Sequence, residues 1–269
     1  MPAILPDRIL LGRVQAVAIE LAGAPLPDAI TGRIRLFPAR LASRGDLSTD
    51  AALLAARFIG QPPGLVAQRL AERLDGLPGL DTVETAAPGF INLVHVDAAL
   101  DTILPDLLGS CLCGPPHPLP PEPKVQAMRR ADADFMLQYA HARCHSVLRA
   151  AAATPGLDRH DPAKFAADAK GRFASGPARG LLCRLDHWRR LAEVPLAAQS
   201  RHQIVLFLRD LSVQFDLIWH GSDDDAILRL LYPGQPSRSR ANLALVIAVA
   251  GVIRSGLGML ETGAAEEMR

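Results

Sequence analysis

Six prolines crowd the fifteen residues from Gly109 to Pro123, which read Gly-Ser-Cys-Leu-Cys-Gly-Pro-Pro-His-Pro-Leu-Pro-Pro-Glu-Pro. Proline fixes φ and has no N–H to donate, so neither a helix nor a sheet ladder runs through such a stretch. It stiffens toward polyproline II instead. The segment therefore divides the chain into a domain of residues 1–108, a linker of 109–123 and a domain of 124–269. The two parts differ in pattern, and the fold class expected is multidomain α+β: a small α/β domain followed by an all-α helical bundle.

The first part mixes periods. Residues 8–21 suit a helix, which Ala24-Pro25-Leu26-Pro27 ends. A short strand is expected over 33–37. Ser48 or Thr49 then stands ready to cap a helix over 51–59, with Gly60 at its end. Pro62-Pro63 opens a further helix with Val66, Leu70 and Leu74 as its apolar stripe. Val83–Thr85 and Phe90–Val96 read as strands on either side of Ala87-Pro88-Gly89.

The second part reads as helices only. Aromatics make up 4% of the chain, and the abundant Ala, Leu and Arg are the best helix formers. Helices are expected over 134–151, 165–174, 177–191, 202–219, 223–231 and 242–260. In the first of these Leu137, Ala140, Cys144 and Val147 recur at core spacing, while Met136, Tyr139, Arg143 and Ser146 share the opposite face. The apolar run Ala241–Leu260 carries Asn242 and Arg254, and its largest residues recur every three or four positions. That marks a buried core helix rather than a membrane span.

Charge is uneven. Residues 1–110 hold 9 Lys+Arg and 12 Asp+Glu, a balance of −3, whereas 124–269 hold 20 and 15, a balance of +5. An anionic partner is therefore expected on the second domain. Arg129 with Arg130, Arg189 with Arg190 and Arg238 with Arg240 are basic pairs that phosphate would favour. The four cysteines form no disulfide framework, and Asp7, Arg8 and Arg13 interrupt any secretory signal, so a reducing cytoplasm is the expected location. Cys111, Cys113 and His117 lack a fourth ligand, and Asp223-Asp224-Asp225 suits a helix start, so no metal site is expected. No nucleophilic triad has support in the sequence.

Three segments, in chain order, carry a resemblance. Gly45-Asp46-Leu47-Ser48-Thr49-Asp50 with Ala87-Pro88-Gly89-Phe90-Ile91-Asn92-Leu93 is the first. Gln138-Tyr139-Ala140-His141-Ala142-Arg143 is the second, and Ser239-Arg240-Ala241-Asn242-Leu243-Ala244-Leu245-Val246 through Gly256-Leu257-Gly258-Met259-Leu260 to Glu267-Met268 is the third. Together they resemble arginyl-tRNA synthetases: the first their N-terminal additional domain, the other two the start and end of their DALR anticodon-binding domain. Asp50 stands where that family has Asn, and Met136 where it often has an aromatic. The class I catalytic domain that a synthetase places between these regions has no counterpart in length, and no His-x-Gly-His or Lys-Met-Ser-Lys signature occurs.

The resemblance implies a non-catalytic tRNA-binding protein without cofactor, with arginine tRNA as the expected ligand. It implies that Tyr139, Arg143, Phe215 and Trp219 meet the anticodon loop, and that Phe90 and Asn92 meet the tRNA elbow. A ring and a guanidinium one helical turn apart suit an unpaired base and its phosphate. Alternation along a strand puts Phe90 and Asn92 on one face. Two other readings stay open: a subunit of a split synthetase whose catalytic chain is separate, and a protein-interaction module without RNA contact.

Overall fold

The computed structural model describes residues 7–39, 45–110, 133–154, 157, 162–193, 201–221, 230–232 and 234–268. They form two compact units, Met1–Leu100 and Asp101–Arg269.

The first unit begins with α1 (Asp7–Ala22), in which Leu10, Val14 and Ala18 recur every four residues and are buried. A single turn, α2 (Asp28–Thr31), leads to β1 (Leu36–Pro38) and β2 (Leu47–Thr49). Next come α3 (Ala51–Ile59), α4 (Pro63–Leu74), β3 (Leu80–Ala86), β4 (Phe90–His95) and the short α5 (Asp97–Leu100). The strands form one antiparallel sheet in the order β1-β2-β4-β3. Leu36, Leu47, Ile91 and Leu93 join the buried core that α1, α3 and α4 build, with the small Ala51, Ala52, Ala55 and Ala56 letting α3 pack closely. Gly60 ends α3 in the left-handed region at φ 71°, its N–H reaching the Ala56 carbonyl.

Strand β2 lies in a stretch the sequence suggested as a helix cap. Three residues are too few to show alternation, and all three are buried. Thr49 retains part of the expected role, its hydroxyl accepting from the Ala51 N–H at 3.3 Å. Asp50 takes the cap position itself, and its carboxylate accepts from the Arg35 N–H at 3.1 Å instead of from the helix.

The second unit consists of α6 (Ile103–Ser110), α7 (Ala133–Ala152), α8 (Pro162–Ala169), α9 (Gly176–Glu193), α10 (Arg201–His220) and α11 (Pro236–Met259). Helix α11 runs through the middle, packed against α6, α7, α8, α9 and α10. It is long and apolar enough to cross a membrane by composition, and most of it is buried inside this unit, as its core spacing anticipated. Its approach to α10 is tight at Gly256, where a methyl group would come within 2.7 Å of the Leu208 Cδ1.

Several boundaries differ from the sequence reading, among them the start of α11, which begins at Pro236 rather than at 242. Helix α6 packs on α8, α9 and α11, so the division between units falls after Leu100 rather than at 108. Helix α8 starts at Pro162 and stops at Ala169, and Gly171 follows in the left-handed region at φ 70°. Of the helix expected over 223–231, residues 223–229 lie outside the described residues, and Leu230 and Leu231 are buried but not helical. The linker 109–123 lies outside them too, apart from Gly109 and Ser110, which end α6.

Candidate nucleic-acid interface

Helix α7 sorts its side chains by face. Inward, Gln138 is fully buried; its Nε2 donates to the Gly263 carbonyl at 2.7 Å and its Oε1 accepts from the Ala265 N–H at 2.7 Å. One turn on, the buried His141 places Nδ1 2.8 Å from the Ala265 carbonyl, which as an acceptor fixes the ring proton on Nδ1. Burial pushes the His141 pKa down to about 4, against the Ala265 bond that favours the charged form, so the ring is neutral at physiological pH. These two side chains pin the chain's last residues onto α7.

Outward, the same helix lines a groove of about 440 Å³ with Tyr139, Ala142, Arg143, Ser146 and Arg149; Trp219 of α10 and the pinned Glu267 and Met268 complete it. The α7 members lie three, four, seven and ten residues beyond Tyr139, a single helical stripe. Tyr139 is 42% exposed. Its ring stacks on Phe135 with centroids 5.9 Å apart and planes at 11°, while the Arg143 guanidinium carbon lies 4.4 Å from its centroid. The same guanidinium lies 4.7 Å from the Trp219 ring centroid. Arg143 is thus clamped between two rings, a favourable cation–π arrangement.

The charge of Arg143 is answered within the unit. Its Nη1 pairs with the Asp216 carboxylate on α10, and its side chain is only 13% exposed. The sequence expectation of a guanidinium turned out toward phosphate therefore does not describe this residue; it is a planar spacer between Tyr139 and Trp219. Phe215 is 1% exposed and belongs to the core, its ring 6.3 Å from that of Trp219. It supports Trp219 and does not line the groove. Met136 is exposed beside the groove and is not among its lining residues.

The sequence reading missed Asp216, Arg149, Glu267 and Met268 as members of this site. Arg149 continues the Tyr139 stripe, and Asp216 lies three residues before Trp219, so helical spacing could have found both. The carboxylate of Glu267 lies 3.8 Å from the Arg149 Nη1, which also donates to the Glu266 carbonyl at 3.1 Å.

In the first unit Phe90 and Asn92 do share a sheet face, the one opposite Ile91 and Leu93. Phe90 is partly exposed and meets Phe37 edge-on, with centroids 6.2 Å apart. Asn92 is buried, and its Oδ1 accepts from the Ser48 hydroxyl directly across the β2–β4 pairing. The Gly45-Asp46 motif is structural here. At Gly45, φ 132°, a methyl group would come within 3.2 Å of the Asn92 Cβ and the Leu93 carbonyl. The buried Asp46 carboxylate accepts from the His95 N–H at 2.7 Å.

The basic pairs are engaged where they are described. Arg189 bonds to Asp106 at 3.1 Å, Arg240 to Asp168 at 2.5 Å, and the Arg238 guanidinium lies 3.6 Å over the Tyr232 ring. The bond from Arg240 holds the Asp168 pKa below its ordinary value. Arg129, Arg130 and the Arg190 side chain lie outside the described residues, as do Cys111, Cys113, His117 and Asp223–Asp225. Among the described residues no group of His, Cys, Asp or Glu is arranged to hold a metal.

Residues 14–94 match the family model for the arginyl tRNA synthetase N terminal domain, and residues 137–268 match that for the DALR anticodon binding domain. The chain is similar to the arginine–tRNA ligase of Ruegeria pomeroyi, 38% identical over 146 residues, covering 54% of this chain and 25% of the relative. It is 36% identical to the arginine–tRNA ligase of Gluconobacter oxydans over 145 residues (54% and 24%) and 39% identical to that of Rhizobium rhizogenes over 150 residues (54% and 25%). The chain spans about a quarter of the length of these curated relatives. Between its two matched stretches lie residues 95–136, a segment of 136 − 94 = 42 residues. The chain is thus built from an arginyl tRNA synthetase N terminal domain and a DALR anticodon binding domain, the two domains of that family that its sequence matches.

Proposed function

We propose that this chain binds tRNA without charging it, with arginine tRNA as its preferred ligand. The observation that supports the reading best is the groove lined by Tyr139, Trp219 and Met268, with the Arg143 guanidinium between its two rings, within a DALR anticodon binding domain. A base entering the groove would stack on a ring face in place of the Phe135 or Arg143 contact, and such stacking is worth about 1–3 kcal/mol per base. The clamped guanidinium sets the spacing between the two rings. It does not serve as a phosphate hook, because Asp216 already neutralises it. Phosphate attraction falls to the surplus of positive charge over 124–269. In the first unit Phe37 and Phe90 offer a second aromatic contact, for the tRNA elbow; Asn92, tied to Ser48, supports the strand that presents Phe90.

The 42 residues between the two matched domains support the absence of charging, being too few for the parallel sheet that a class I site uses to hold ATP. Incubating the purified chain with ATP, arginine and arginine tRNA tests this. The expected result is retarded tRNA in a native gel with no arginyl-tRNA formed; charging above background overturns it.

A second reading has an observation in its favour. Leu206, Val213 and Leu217 are exposed on α10 at helical spacing, an apolar stripe suited to a protein partner. With Arg143 and Asn92 both engaged internally, such a module would need no RNA. Unaltered mobility of every tRNA offered would favour it.

A further inference from the structure

Residues 95–136 lie outside both family models, yet part of that stretch is built into the helical unit. Helix α6 presents Ile103, Leu104, Leu107 and Leu108 on one face, and all four are buried. Pro105, Asp106 and Gly109 lie on the other face, exposed. The buried face packs on α8, α9 and α11. Two polar latches flank it: the Asp101 carboxylate accepts from the Gly171 N–H at 2.6 Å, just past the end of α8, and Asp106 pairs with Arg189 of α9 at 3.1 Å.

This placement changes what the proline-rich segment does. The chain passes from the first unit to the second at Leu100–Asp101, so residues 111–132 join α6 to α7 within the second unit. We propose that the face of α8, α9 and α11 is a docking groove for an amphipathic helix, occupied in cis by α6. On this account the first unit is retained by burial of α6, and an unbroken proline-rich segment is not required for the two parts to stay together. The proposal concerns assembly only and stands or falls independently of tRNA binding.

The test is to insert a protease recognition sequence between Pro118 and Leu119 of the full chain, cleave it, and run the product on a native sizing column with light scattering. The expected result is that both fragments co-elute at the mass of the intact chain, in 0.15 M and in 1 M NaCl alike, since apolar burial is not screened. L104A/L107A is expected to weaken the association by roughly a thousandfold or more, the scale of two buried leucine truncations, so the fragments separate at micromolar concentration. A synthetic peptide of residues 99–111 added in excess should likewise displace the wild-type N-terminal fragment. Separation of the wild-type fragments on cleavage overturns the proposal, as does persistent co-elution of L104A/L107A. Should that variant not fold, hydrogen exchange on the uncut wild-type chain decides: α6 amides as slow as those of α11 support the docked helix, and amides at the free-peptide rate refute it.

Discussion

The ion pair between Arg143 and Asp216 holds a guanidinium between two aromatic rings, 4.4 Å from the Tyr139 centroid and 4.7 Å from that of Trp219. Stability and RNA affinity should therefore respond to its loss with opposite signs. Asp216 is 43% exposed, so screening limits the destabilisation of D216N to about 1 kcal/mol, roughly 2–4 °C in the melting temperature of a unit this size. The same change frees one positive charge beside the groove. We expect tighter tRNA binding and a salt dependence steeper by about one counterion. Melting curves and binding titrations from 50 to 300 mM salt read both effects. A D216N protein with unaltered salt slope would show that Arg143 stays out of reach of phosphate.

The two aromatic neighbours on α10 separate cleanly. Trp219 lines the groove, whereas Phe215 lies beneath it in the core. W219A is expected to cost tRNA affinity by about 1–3 kcal/mol with a modest change in stability. F215A is expected to lose about 3–5 kcal/mol of stability through the cavity it leaves. Urea denaturation beside binding isotherms distinguishes them, and equal stability losses in the two variants would contradict this division.

Acid should loosen the helical unit through His141. Its folded pKa of about 4 lies below its ordinary value of 6.5, so protonation favours the unfolded chain. The contribution is fully present above pH 6.5 and is lost as pH falls from there through 4. A shift of this size corresponds to about 3 kcal/mol. Denaturation midpoints at pH 7, 5.5 and 4 follow the loss, and H141Q should flatten that part of the profile. An H141Q protein with the wild-type acid profile would assign the sensitivity elsewhere.

Pinning of the chain's end is the least local feature of the site. Q138A removes the partner of the Gly263 carbonyl and of the Ala265 N–H. We expect a loss of about 2–4 kcal/mol and release of Glu267 and Met268 from the groove. tRNA affinity should fall to that of a chain truncated after Thr262. If Q138A binds as the wild type does while the truncation binds weakly, the tail is held by other contacts.

What could be read in advance follows from how local each cause is. Helix α3 was bounded correctly, because a left-handed glycine and a run of small residues both act within a few positions. The two faces of α7 were legible because helical spacing alone separates Leu137 and Cys144 from Tyr139 and Arg143. The resemblance supplied both domains from short motifs. It could not reveal that Gln138 and His141 in one of those motifs bind Gly263 and Ala265, more than 120 residues away. Nor could spacing show that Asp216 neutralises Arg143 or that Ser48 takes the Asn92 oxygen, since both partners are brought in by tertiary packing. Strand β2 was too short to show a period. Most of helix α6, with a proline inside and more prolines following, fell within the expected first domain of 1–108; its buried leucines place it in the bundle.

The most direct measurement is equilibrium binding of arginine tRNA, and of the same tRNA with its anticodon replaced, to the wild-type chain and to Y139A at physiological salt. The account predicts that wild type prefers the natural anticodon and that Y139A loses that preference, with affinity down by about 1–3 kcal/mol and the fold intact. Equal weak binding of both tRNAs, unchanged in Y139A, would contradict it.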